Sequence, residues 1–108
     1  MNETDALAAF AALSNVTRLR ILTDLVRAGP TGRAAGQVAV DVGASPSRAS
    51  FHLSALVKAR LISSEQSARE VIYRAEFDEI GAFVRYFLED CCSDDARVRA
   101  CCVGAGKC

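Results

Sequence analysis

The sequence predicts one mainly α-helical domain with a small β-hairpin, in the element order ααααββα. Apolar residues recur at spacings of three and four in several separate segments, which is the periodicity of amphipathic helices. Two short runs with alternating side chains, residues 61–66 and 70–75, flank residues 67–69, as in a hairpin. With 108 residues, of which 51% are hydrophobic, the chain has enough material for one packed core and little more.

The first two predicted helices have clear boundaries. The first covers residues 3–13, which are rich in alanine and leucine. The second follows an N-cap at Ser14 or Asn15, and it ends at the helix breaker Gly29-Pro30.

A strong local signal marks the start of the fourth helix. Ser45 suits the N-cap, and Pro46 suits the first helical position, where its missing N–H costs nothing. This helix is predicted to run to about residue 59. A short third helix over about residues 34–42 ends at Gly43, so the third and fourth helices have the form of a helix-turn-helix.

A fifth helix is predicted after the hairpin, and its apolar surface is wider than one small core needs. Such a helix usually buries its excess face against a partner chain, although a well-buried last helix is the alternative. The order of helices and hairpin is that of a winged helix-turn-helix. We assign residues 3–90 to this DNA-binding and dimerisation domain, and residues 91–108 to a cysteine-rich sensing tail.

All five cysteines lie in that tail. A soft-metal or redox sensor is the favoured interpretation, because cysteines used as core residues would be scattered along the chain. A structural disulfide staple or a chance cluster are the alternatives. From Cys91 onward helical periodicity fades, so residues 93–95 and 104–106 are predicted to be loop or flexible tail. The cysteines are Cys91, Cys92, Cys101, Cys102 and Cys108.

Charge is distributed unevenly, although the net charge is zero. Residues 16–60 carry seven basic and two acidic side chains, a balance of +5, whereas residues 76–95 carry seven acids and one arginine, a balance of −6. Local basic surface attracts phosphates more than total charge does. The middle of the chain is therefore the predicted DNA-binding part.

Specific DNA contacts are predicted from the first turns of the fourth helix, which enters the major groove in such folds. Arg48 can bond guanine with two hydrogen bonds, and Arg69 at the hairpin tip can reach the DNA backbone or minor groove. His52 can reach bases or phosphates, or it can instead pack against Phe51 or Tyr73. The predicted DNA-binding residues are Ser47, Arg48, Ser50, His52 and Arg69.

Two segments resemble the ArsR/SmtB family of metal-responsive repressors. Residues 13–22, LSNVTRLRIL, are similar to the family's opening signature, and residues 50–56, SFHLSAL, are similar to its recognition-helix signature. Residues 59–62, ARLI, resemble the family's usual segment between the recognition helix and the wing. The resemblance covers about residues 5–90. It implies a homodimer held by the first and last helices, an operator with two half-sites, and release from DNA on binding a toxic metal or metalloid.

The resemblance implies several alternative sensing sites, and the cysteine tail is the one whose ligand residues this sequence contains. A zinc site on the last helix would need histidines, and a Cys-x-Cys site beside the third helix would need cysteines; neither is present there. The tail is similar to that of an arsenic-responsive subgroup, with Cys91 and Cys92 as the adjacent pair. The spacing to the third ligand departs from the subgroup's pattern, so Cys101 or Cys102 is expected to supply it, with Cys108 a weaker candidate.

Arsenite, or antimonite, is therefore the expected inducer, and no cofactor is expected. Soft thiolates select soft ions. Zinc or cadmium bound by Cys91, Cys92, Cys101 and Cys102 is an alternative, although adjacent cysteines are poor paired zinc ligands. Thiol oxidation is the other alternative.

An enzyme is not expected. Cys91-x5-Arg97 formally matches the anion loop of small phosphatases, but it follows a helix and contains Asp94 and Asp95, which repel anions. No signal peptide or membrane-spanning run is recognisable, so a cytoplasmic location with reduced thiols is expected.

Overall fold

A computed structural model describes residues 1–103, with the side chains of Cys102 and Val103 left out of the description. Within residues 1–103, six α-helices and three short strands make up the fold. The helices are α1 (Glu3–Leu13), α2 (Val16–Ala28), α3 (Ala35–Val42), α4 (Pro46–Lys58), α5 (Phe77–Tyr86) and α6 (Ala96–Val103). The strands are β1 (Arg33–Ala34), β2 (Ile62–Ser67) and β3 (Glu70–Ala75), and a short 3₁₀ turn covers Gly29–Thr31. The predicted fold class is confirmed.

Side-chain caps fix where the helices begin. Asn2 and Asp5 form a reciprocal capping box at the start of α1. The Asn15 side chain accepts hydrogen bonds from the N–H groups of Thr17 and Arg18, so Asn15 is the N-cap of α2. Ser45 caps α4 as predicted, and its hydroxyl accepts from the Arg48 N–H at 3.3 Å.

The sheet contains one strand more than the sequence predicted. β3 lies in the middle, antiparallel to β2 on one side and to β1 on the other. Arg33 pairs with Tyr73 in that extra strand. Gly32, just before it, adopts φ +69°, and an added Cβ would come within 2.6 Å of the Tyr73 carbonyl oxygen. Only glycine allows this close approach to β3.

The core lies where α1 to α4 meet the base of the hairpin. Its largest fully buried side chains come from α2, α3, α4 and the entry to β2, so the helix-turn-helix and the wing share one apolar centre. The fully buried residues include Ile21, Leu25, Val38, Leu53, Leu56, Leu61 and Ile62.

The chain beyond Tyr86 differs from the prediction. Phe87–Cys91 form a π turn that prolongs α5, and α6 follows in a segment where the sequence predicted no helix, because helical periodicity fades from Cys91 onward. Asp95 accounts for α6, because its carboxylate accepts the Arg97 N–H at 2.8 Å at the start of the helix. Residues 93–95 form the predicted loop, whereas residues 104–106 lie outside the described part. Within residues 1–103, no helix is long and apolar enough to cross a membrane.

Candidate functional site

The turn between α3 and α4 sets the position of the predicted recognition helix. Gly43 ends α3 in the left-handed conformation, with φ 67° and ψ 35°. Pro46 occupies the first turn of α4. The first three residues of α4, Pro46 to Arg48, are exposed, as the start of a recognition helix must be to enter a DNA groove.

Four of the five predicted DNA-binding residues lie on exposed surface. Ser47, Arg48 and Ser50 are exposed on the first turns of α4. Arg69 is exposed at the hairpin tip, next to Ala68, whose φ of 53° makes a tight two-residue turn. Among the described residues, neither arginine belongs to an ion pair, so both guanidinium groups are available to phosphates or bases. DNA contact by these four stays a prediction.

His52 is placed differently from the prediction, which put it on the contact face. Its exposed fraction is only 7%, and it points toward the body of the domain. The Arg18 Nε donates a hydrogen bond to His52 Nδ1 at 3.0 Å, and the rings of Phe51 and His52 meet edge to face at 5.3 Å. Packing against Phe51, the alternative that the sequence allowed, is therefore observed. We correct the assignment: His52 links α4 to α2 inside the protein.

The electrostatics of His52 suit this internal role. Burial lowers its pKa below the ordinary value, and the positive charges of Arg18 and Arg48 lower it further. A neutral imidazole can accept at Nδ1, as the Arg18 hydrogen bond requires. Protonation would remove that acceptor and place a charge beside two arginines.

The sequence interpretation found Ser47 but missed Phe51, Ser54 and Lys58 on the exposed face of α4. Ala49, His52, Leu53 and Leu56 are its buried residues, and the opposite side of the helix is exposed. That side carries Ser47, Phe51, Ser54 and Lys58, at spacings of four, three and four. We call these four residues the contact stripe. Counting helical positions from Pro46 would have found them.

Two free thiols lie at the end of the π turn. Cys91 is exposed and Cys92 is half-buried. The Cys92 N–H donates to the Phe87 carbonyl at 3.0 Å, so the pair is fixed to the last turn of the prolonged α5. Burial raises the pKa of the Cys92 thiol, and a hydrogen bond and charge repulsion from Cys91 and repulsion from Asp95 raise it further. Cys92 is therefore a protonated thiol at neutral pH.

Of the remaining predicted ligands, only Cys101 has a described side chain. Cys101 is half-buried on α6 and takes part in a disulfide bond. Cys102 belongs to α6, but its side chain lies outside the described part, as does Cys108. No group of three or more metal-ligating side chains occurs among the described residues. A four-thiol site stays a prediction.

An apolar groove of about 630 Å³ lies beside the tail. The ring of Phe10 on α1 meets the ring of Phe83 edge to face at 4.8 Å and lies 5.9 Å from that of Phe87. Residues of α6, including Cys101, complete the groove. We call it the phenyl groove; it is lined by Phe10, Phe83, Val84, Phe87, Leu88, Arg97, Val98 and Cys101.

Comparison with known proteins identifies the family. A helix-turn-helix domain family matches residues 13–65. An ArsR-like transcriptional regulator from Rhodococcus sp. RHA1 has a similar structure, with a TM-score of 0.73 and 32% identity over 90% of this chain and 89% of that one. The chain belongs to the ArsR family of transcriptional regulators. A search of curated proteins found no match.

Two further solved structures are informative. The homodimeric winged helix-turn-helix DNA-binding domain of a Mycobacterium bovis protein has a TM-score of 0.66 at 26% identity, over 81% of this chain and 84% of that one. The antimony-specific transcriptional repressor AntR has a TM-score of 0.58 at 28% identity, over 82% of this chain and 76% of that one. This ArsR protein is therefore a DNA-binding regulator with a winged helix-turn-helix, and not an enzyme.

The internal role of His52 predicts a pH-dependent stability. Its folded pKa is lowered, so the unfolded chain binds the proton first, near pH 6.5, and protonation favours unfolding. The contribution is full above that pH and is lost as pH falls toward the folded pKa, by at most about 1.4 kcal/mol per pH unit. Urea unfolding of the wild type and His52→Asn, which can accept from Arg18 without titrating there, measures this. The stability advantage of the wild type should shrink from pH 8 to pH 5; a constant difference would contradict the assignment.

Proposed function

We propose that this ArsR protein is a repressor that binds operator DNA as a homodimer and leaves it when trivalent arsenic, or antimony, binds thiolates of the cysteine tail. One observation carries the proposal. The phenyl groove brings a tail cysteine, Cys101, together with the exposed apolar rings of α1 and the prolonged α5. The segment that would bind the effector and the face that would hold the partner protomer therefore share one surface.

The proposed dimer face is the apolar surface that α1 and α5 leave uncovered in one chain. Leu7 and Phe10 of α1 are 62% and 42% exposed, and Val84 and Phe87 are 42% and 40% exposed. Contiguous apolar surface of this kind marks an association site. A second copy of the chain is the expected occupant, which agrees with the homodimeric M. bovis relative.

The thiol chemistry favours a trivalent metalloid over a hard cation. Arsenous acid reacts with three thiols to give a tris-thiolate and three waters, As(OH)₃ + 3 RSH → As(SR)₃ + 3 H₂O, so protonated thiols suffice. Cys91 and Cys92 are free and supply two adjacent sulfurs. The third is proposed to come from Cys101 or Cys102 in the reduced protein. Soft sulfur ligands match a soft ion, and the antimony specificity of AntR supports this class of effector.

The proposed coupling runs through the prolonged α5. Closing a thiolate loop between its last turn and α6 would move or strain the residues that line the phenyl groove. Because these residues also belong to the proposed dimer face, the spacing of the two recognition helices would change. Half-sites lie about one helical turn, roughly 34 Å, apart, so a small change matters. A coupling of about 1–3 kcal/mol is enough for induction.

A thiol-redox regulator of the same fold is the second candidate, and the disulfide bond of Cys101 favours it. The raised pKa of Cys92 counts against fast oxidation at the adjacent pair, because the thiolate is the reactive form. Zinc or cadmium remains the alternative metal effector.

The dimer proposal predicts that Phe87→Asp sediments as a monomer where the wild type is a dimer. A carboxylate buried in an apolar interface, once per protomer, should weaken association by more than about 100-fold. Analytical ultracentrifugation under reducing conditions measures it. Val40→Asp, at a site 75% exposed on α3, is the matched control and should remain dimeric. A dimeric Phe87→Asp would place the interface elsewhere.

The effector proposal predicts that arsenite weakens DNA binding by the reduced wild type about 5- to 150-fold. Cys91→Ser and Cys92→Ser should bind DNA normally and lose this response, because each removes one of the ligand thiols. One of Cys101→Ser and Cys102→Ser should also lose it. Fluorescence anisotropy on operator DNA is the measurement, and Ser93→Ala is the control that keeps the response.

Two results of that titration would decide against arsenite. If the double variant Cys91→Ser/Cys92→Ser still leaves DNA on adding arsenite, the adjacent pair is not the site. If peroxide releases the wild type while arsenite does not, the redox candidate replaces the metalloid.

The raised pKa of Cys92 also predicts how the response depends on pH. Below the thiol pKa, the arsenite reaction releases no protons, so its midpoint should change little between pH 6 and pH 8. Zinc and cadmium must displace one proton from each thiol, so their apparent affinity should rise by up to about tenfold per pH unit for each ligand. Repeating the anisotropy titrations at pH 6, 7 and 8 checks this. If the arsenite midpoint changed with pH as strongly as the cadmium midpoint, this would contradict the proposed reaction.

A further inference from the structure

The contact stripe of α4 contains one apolar residue among polar ones. Ser47, Ser54 and Lys58 carry hydroxyl and ammonium groups, whereas Phe51 carries a bare phenyl ring. Phe51 is 64% exposed and is the most exposed of the five phenylalanines. An isolated exposed apolar residue is ordinary on a protein surface, but this one occupies the middle of the face that a recognition helix turns to DNA.

Neighbouring groups define the position of the Phe51 ring. The ring of His52 meets it edge to face at 5.3 Å, and the Arg18 guanidinium carbon lies 5.7 Å from its centroid. His52 and Arg18 are in turn joined by their hydrogen bond. Because the Phe51 ring is held between His52 and Arg18, it loses less conformational entropy on binding than a freely rotating side chain. It is therefore suited to bind a small apolar group.

The edges of the base pairs offer one apolar group in the major groove, the 5-methyl group of thymine. The rest of that surface consists of hydrogen-bond donors and acceptors, which a phenyl ring cannot satisfy. We propose that Phe51 determines operator specificity by packing against a thymine methyl group in each half-site. The proposal rests on DNA binding through α4 and is independent of the effector and of the cysteine tail.

The surroundings of Phe51 favour DNA over a protein partner. The stripe is flanked by Arg48, and it ends at Lys58, both exposed and suited to phosphate contact. The apolar residues that we assign to the dimer face lie on α1 and α5, and they do not include Phe51. Phe51 is therefore placed for base contact while its neighbours supply hydrogen bonds and charge.

The test uses a duplex selected from a random library by the reduced full-length wild type. Each thymine is replaced in turn by deoxyuridine, which lacks only the methyl group, in both half-sites together. Anisotropy is then measured at one fixed salt concentration, because phosphate contacts make affinity depend strongly on salt. Phe51→Ala is compared with the wild type, and Ser54→Ala is the matched control on the same stripe.

At one thymine position we expect the wild type to lose about fourfold in affinity per half-site, the effect of exposing one methyl-sized group. Phe51→Ala should bind the thymine and deoxyuridine duplexes equally well, whereas Ser54→Ala should keep the loss. Phe51→Leu, which retains an apolar side chain, should keep part of it.

Two outcomes would overturn the proposal. In the first, no deoxyuridine substitution lowers the affinity of the wild type for the duplex. In the second, Phe51→Ala retains the full sensitivity of the wild type, which would assign Phe51 a structural or backbone-contact role. Thermal unfolding confirms that each variant is folded, and the exposure of Phe51 makes loss of the fold unexpected.

Discussion

The packing of Phe10 against Phe83 and Phe87 is the contact on which the proposed regulation depends. It joins α1 to the prolonged α5, and it leaves the rings of Phe10 and Phe87 partly exposed. The same rings line the groove that Cys101 completes. One apolar surface therefore connects the two functions that we assign to the ends of the chain: association through α1 and α5, and effector binding in the tail.

A second internal contact stabilises the side that we propose to bind DNA. Arg18 on α2 donates to the buried His52 on α4, and both lie beside the ring of Phe51. Because His52 faces inward, the helix must turn Ser47, Phe51, Ser54 and Lys58 outward. This partly buried hydrogen bond and the apolar residues on the same side of α4 leave those four side chains for the proposed DNA contact. His52 therefore stabilises the fold, although it lies within the recognition-helix signature.

The features that the sequence predicted well are those set by neighbouring residues. Ser45-Pro46 starts α4 as expected, and Asn15 caps α2, one of the two positions named. β1 was missed because the pairing of Arg33 with Tyr73 joins residues forty positions apart and leaves no local pattern. His52 was misplaced although its spacing from Ala49 and Leu56 puts it on the buried face. α6 was missed because a single Asp95 cap, rather than apolar periodicity, marks its start. The third sulfur ligand depends on how the tail closes, which spacing alone does not determine.

The proposed coupling between the tail and DNA can be tested directly through thermodynamic linkage. If arsenite weakens DNA binding by a given factor, DNA must weaken arsenite binding by the same factor. Calorimetric titration of the reduced protein with arsenite, alone and with saturating operator DNA at the same salt concentration, measures both affinities. If the tail controls DNA binding, DNA should raise the arsenite dissociation constant about 5- to 150-fold. Equal dissociation constants with and without DNA would show that the tail binds its ligand without controlling the operator.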